Sequence, residues 1–141
     1  MLSLPVKKII LLIIVFLISI NILHADEFKW SDVMISKDKT SEFYIDKKSI
    51  KRIDNYIYYW SLGNYLILEE SENQDVKSVI VYNRIDCNDF GYQIVIFTAY
   101  ENNMGRGKAL YHDMENPDKE EEKRFDSKDS MAYDRHKELC N

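Results

Sequence analysis

The chain carries two cysteines, Cys87 and Cys140, and its N-terminus decides what they do. The opening "MLSLPVKK" is basic through Lys7 and Lys8. An uncharged apolar run from Ile9 to Leu23 follows, and small Ala25 then offers a cleavage point. Basic, apolar, small is the layout of a secretory signal peptide. The run is shorter than the roughly 20 residues that span a bilayer, which favours cleavage over an uncleaved membrane anchor. Residues 1–25 therefore read as signal and 26–141 as one exported domain, with no membrane insertion once the signal is removed. No cysteine near the cut offers a lipid-attachment site. In an oxidising compartment an even cysteine count favours a disulfide over two separate thiols. A Cys87–Cys140 bridge would close a loop of about 53 residues. The end of the chain must then fold back onto its middle.

The residues between the cysteines and before them alternate as strands do. Phe28, Trp30 and Val33 fit a first strand, "KDKTSE" a turn, and Phe43 to Ile45 a second strand. Asp46 favours local turning, and Ile50 and Ile53, three apart, suit one helical turn. In "NYIYYWSLGNYLIL", Tyr56, Tyr58, Trp60 and Leu62 share one face while Ile57 and Tyr59 share the other. Val79, Val81, Ile85 and Cys87 share a face in the next strand, interrupted by Asn83, with Arg84 and Asp86 opposite. "NDFG" marks a hairpin. "YQIVIFTAY" is the strongest strand, and "KALYH" reads as its return partner. The run "ENPDKEEEKR" reads as a solvated loop. The end, "DSKDSMAYDRHKELCN", reads as a helix capped by Asp126 or Ser127. Ala132, His136, Leu139 and Cys140 fall on one face of it. The fold class is α+β, an antiparallel sheet of about six strands with a C-terminal helix on one face. The proposed bridge pins that helix to the sheet.

Two of only four glycines, Gly105 and Gly107, stand in "AYENNMGRGKALY" between the last two strand patterns. A hairpin loop needs positive φ, which glycine supplies without steric cost. A phosphate cradle needs a following helix, and here a strand follows. Met104, Gly105 and Gly107 therefore read as a hairpin turn.

Tyr56, Tyr58 and Tyr59 are the candidate protein-binding face, since tyrosine is a favoured interface anchor. Trp60 beside them reads as core. A formal net charge of −5 excludes general binding of nucleic acid or anionic lipid. The exported part holds His112 and His136 only. Asp113 neighbours His112 but points to the other face of its strand, and His136 reads as packed between helix and sheet. No nucleophile elbow, zinc-protease helix or P-loop is present. The sequence gives no cofactor, no metal site and no enzyme.

The ordered set of residues carries a resemblance. Trp30, then Phe43-Tyr44-Ile45-Asp46 with Ser49-Ile50, then Trp60-Ser61-Leu62 and Tyr65 form its first half. Asp86-Cys87, Thr98-Ala99-Tyr100, Met104-Gly105 with Gly107, and Leu139-Cys140 complete it. This order resembles the surface-adhesin protein E family of exported bacterial proteins. The resemblance implies a six-stranded antiparallel sheet with a disulfide-held helix, in a periplasmic or cell-surface protein. It also implies an adhesin that binds host extracellular-matrix or serum proteins, in a family where some members form dimers. The alternative reading is a soluble periplasmic domain that binds a bacterial partner. The chain departs from the family in lacking a lipid-attachment cysteine. It also carries "MENPDKEEEKRFDSKDS" where the family has a Trp- and Pro-rich segment.

Overall fold

In the computed structural model, which describes residues 28–66, 75–119 and 130–141, the alternating segments form one antiparallel sheet. The signal segment lies outside those residues. The strands are β1 (Trp30–Ile35), β2 (Ser41–Asp46), β3 (Lys51–Ile53), β4 (Tyr56–Tyr65), β5 (Ser78–Asp86), β6 (Tyr92–Asn102) and β7 (Arg106–Met114). One helix, α1 (Met131–Cys140), ends the chain. Six strands run in the order β1-β2-β4-β5-β6-β7. The seventh, three-residue β3, pairs with β4 beyond the end of β2. The turn expected around Ile50 and Ile53 is displaced. It covers Lys47–Ser49, with the Asp46 carboxylate accepting from the Lys48 backbone N–H, and Ile53 belongs to β3.

Both faces of β4 are covered, but by different elements at different ends. On one face Ile57 and Tyr59 join Ile45 and Ile85 in a buried cluster, against which Leu139 and the two cysteines pack. The Cys87–Cys140 disulfide is formed there, with the Cα atoms 5.5 Å apart. The helix is shorter than the sequence signals. Asp126 and Ser127 lie outside the described residues, and the cap is Ser130, whose hydroxyl accepts from the Tyr133 N–H at 3.1 Å. The inward residues are Arg135, His136, Leu139 and Cys140, whereas Ala132, expected among them, is exposed. Ala132 shares the face of His136 one turn earlier, but it borders an open cavity between helix and sheet and so stays exposed.

On the opposite face the β6–β7 hairpin tip curls back over Leu62 and Ile80. Asn64 Oδ1 accepts from the Met104 N–H and from Asn103 Nδ2, each at 2.9 Å. Ser78 Oγ accepts from the Gly105 N–H at 2.9 Å and donates to the Asn102 carbonyl at 2.5 Å. Asn64 and Ser78 are buried, and these bonds satisfy them. The glycine spacing thus serves a turn that is also a lid on the sheet. Met104, Gly105 and Gly107 all have positive φ, as the hairpin reading requires. At Gly105 a Cβ would stand 2.5 Å from Ile80 Cδ1 and 3.1 Å from Ile80 Cγ1, so buried Ile80 would have to shift. Gly105→Ala is expected to lower folding stability by about 2 kcal/mol, from strain plus overpacking. Gly107→Ala meets only Asn102 and Glu101 side chains at the tip and should lose about half as much. Urea midpoints of the two variants check the order. Equal losses would show that close packing on Ile80 contributes nothing.

Candidate functional site

The sheet face opposite the helix carries a row of aromatic rings. Strand alternation puts Tyr56, Tyr58 and Trp60 on that side of β4. The register Trp60↔Tyr82 adds Tyr82 from β5. Trp60 and Tyr82 have ring centroids 4.8 Å apart, and Tyr82 and Tyr58 5.9 Å. At the other end Phe28, just before β1, lies 5.2 Å from Trp60 and stacks on Trp30 at 4.8 Å. Each of these rings is partly exposed. Offset and tilted pairs at these distances are the favourable aromatic geometries. The row is therefore stiff as well as accessible.

Both ends of the row are bounded. The hairpin tip closes one end. At the other, buried Arg84 sits 4.4 Å over the Tyr56 ring. Arg84 donates to Gln93 Oε1 through Nε at 2.8 Å and also through Nη2. Its Nη2 reaches the Pro117 carbonyl at 2.8 Å, and its Nη1 pairs with Asp118 at 3.1 Å. Gln93 Nε2 donates to the same Pro117 carbonyl at 2.9 Å. The start of the charged run is thus anchored over a buried arginine and is not the wholly solvated loop its composition signals. Residues 120–129 of that run lie outside the described residues.

The three candidate tyrosines do not form one face. Tyr58 belongs to the aromatic row, and Tyr56 supports Arg84 at its edge. Tyr59 points the other way and is only 5% exposed, so it leaves the candidate set. Its hydroxyl shares a hydrogen bond of 3.0 Å with His136 Nε2 under the helix. Burial pushes the Tyr59 phenol well above its ordinary range and the His136 imidazole down to about 4. The sequence signal for the difference was the odd–even parity of β4 itself. Trp60, read as core, is a partly exposed member of the row; Phe28, expected in the first strand, precedes β1 and joins the row, as does Tyr82, which carries no sequence signal for it. Their places depend on cross-strand register and on the path into β1. His112 bonds through Nδ1 to Thr98 Oγ1 at 2.8 Å on the exposed strand β7, far in sequence and setting from buried His136. Among the described residues no three side chains converge as metal ligands.

These features define a class: an α+β domain of one antiparallel sheet, its C-terminal helix fastened to one face by a disulfide. The sequence profile of the surface-adhesin protein E family matches residues 30–141, and the chain belongs to that family. Two crystal structures of Haemophilus influenzae protein E share the fold. Crystal form II superposes with a TM-score of 0.50 at 17% identity, covering 82% of this chain and 93% of that one. The selenomethionine form gives 0.50 at 17% identity over 82% and 92%. No curated protein sequence matches the chain significantly.

Proposed function

We propose that the chain is a cell-surface adhesin that binds host extracellular-matrix or serum proteins through the aromatic face of its sheet. The observation that carries this reading is the row Phe28, Trp30, Trp60, Tyr82 and Tyr58, partly exposed and stiffened by ring-to-ring contact. Rigid aromatic anchors bind with little loss of side-chain freedom, and they dominate measured binding hot spots. Family membership supports the adhesin role.

The test has two parts. Protease shaving of intact cells should remove the chain while sparing a periplasmic marker. Protection until the envelope is opened would favour the periplasmic reading and a bacterial partner. The purified exported chain should then show saturable binding on a panel of immobilised matrix and serum proteins. Tyr58→Ala and Tyr82→Ala should each weaken that binding about tenfold or more. Leu110→Ala, on exposed β7, should leave it unchanged. An equal loss in all three variants would move the binding surface off the aromatic row.

A further inference from the structure

The aromatic row continues across the whole sheet. Trp60 pairs with Tyr82, Tyr82 with Ile96, and Ile96 with Met114. Register partners share a sheet face, so these four side chains form one ladder perpendicular to the strands. Met114, on the edge strand β7, is 67% exposed. In the other direction Phe28 is in ring contact with both Trp60 and Trp30, which carries the ladder to the opposite edge strand, β1. The result is an apolar track from edge to edge. Five strand spacings separate β1 from β7, or about 24 Å.

The polar groups on this face fall into two sets. The acidic and amide side chains are engaged. Asp46 accepts from the Lys48 N–H, Glu42 from the Tyr44 hydroxyl and Asn64 Nδ2, and Asn64 Oδ1 from the hairpin tip. Arg84 and Gln93 are occupied at the Pro117 carbonyl. The groups left over can all donate. The indole N–H groups of Trp30 and Trp60 and the Tyr82 hydroxyl have no partner among the described residues, and none of the three is sealed from water. A ligand that suits this track is apolar, uncharged and rich in acceptors, with few donors of its own to satisfy.

A proline-rich segment has that chemistry. Proline lacks the backbone N–H, so its main chain offers only carbonyl acceptors. In the polyproline II conformation those carbonyls make no internal hydrogen bonds. One turn of it rises about 9.3 Å, close to two strand spacings of about 4.8 Å each. Successive turns thus meet every second strand, at Trp30 on β1, Trp60 on β4 and Ile96 on β6. About eight residues cross the sheet. The preformed helix loses little entropy on docking, and aromatic surfaces are its recurring receptors. A glycan also stacks on rings, but it brings hydroxyl donors, and the acidic and amide acceptors of this face are already used.

We propose that the aromatic track binds a proline-rich segment of its partner, in the polyproline II conformation and laid across the strands. The proposal rests on the reading of this face as the binding surface and names the kind of segment that the face accepts.

Titration of the exported chain with decaproline, a Gly-Ser decapeptide and cellohexaose tests this, read by the amide and indole proton–nitrogen NMR spectrum. Decaproline should saturate one site, shift both indole N–H signals, and bind about tenfold or more tightly than the Gly-Ser peptide. Raising salt from about 0.1 to 0.5 M should leave that affinity unchanged, because the track is uncharged. Trp60→Phe keeps a ring but removes the N–H, and it should weaken binding severalfold. Met114→Ala, at the exposed far end, should also weaken it. Tyr111→Ala, on the other face of β7, should not. Absence of saturable decaproline binding, equal binding of the Gly-Ser peptide, or undiminished binding in both Trp60→Phe and Met114→Ala would each overturn the assignment. Tighter binding of cellohexaose at the same indole signals would overturn it in favour of a glycan. A matrix or serum protein held by the row but not displaced by decaproline would sink this proposal and leave the adhesin reading standing. Decaproline binding with no host protein bound would do the reverse.

Discussion

Cys140→Ser is expected to lower the folding stability by about 4 kcal/mol, as judged by the loop-closure entropy of about 53 residues. It should also release the helix before the sheet unfolds. The helix has ten residues, a length that is marginal in isolation. Its inward face holds Arg135 and His136, which are polar, and Leu139 as its one large aliphatic residue. Burying a leucine stabilises by about 1.5–3 kcal/mol, which is less than the bridge supplies. The sheet is held otherwise, by five long antiparallel pairings and by the hairpin tip on its far face. Reduction of the wild-type chain should therefore lower helical circular dichroism and expose Tyr59 at denaturant concentrations where the strand signal persists. A Cys140→Ser chain within 1 kcal/mol of wild type, or one that loses helix and sheet together, would contradict this division of labour.

Much of this architecture is legible in the residues because alternation and cysteine chemistry are local signals. The parity of "NYIYYW" separates Ile57 and Tyr59 from Tyr58 and Trp60 before any fold is known. An exported chain with paired cysteines points to the Cys87–Cys140 tether, and the hairpin glycines announce positive φ. What stays hidden is where covering elements land. Nothing near Asn64 or Ser78 in sequence says that a hairpin tip some 25 to 40 residues later will supply their partners. Arg84 reads only as a charge on the strand face opposite Ile85, yet Pro117 and Gln93 bury it, again through contacts its own segment does not announce. β3 leaves no sequence signal for a related reason. Three residues with two charges among them carry no period, and only the overhang of β4 beyond β2 gives them a strand to pair with.

Acid should weaken the protein through His136. This imidazole is 4% exposed, packed between Tyr59 and Tyr92, and burial lowers its pKa from 6.5 to about 4. The unfolded chain then takes up the proton first as pH falls. Stability from the neutral form is complete above about pH 6.5 and is lost progressively as pH falls through 4. A shift of that size corresponds to roughly 3 kcal/mol over the window. Carboxylates titrate in the lower part of the same range, so the comparison must isolate the imidazole. His136→Gln keeps a polar group for the Tyr59 hydroxyl and removes the titration. The variant should be weaker than wild type at pH 7, where the native contact is intact. Its stability should change little between pH 6.5 and 5, where wild type already declines. Urea unfolding of both chains across that interval decides the matter. Parallel profiles would mean that the imidazole is hydrated or paired as an ion in solution, and the helix would then have to sit farther from the sheet than Tyr59 requires.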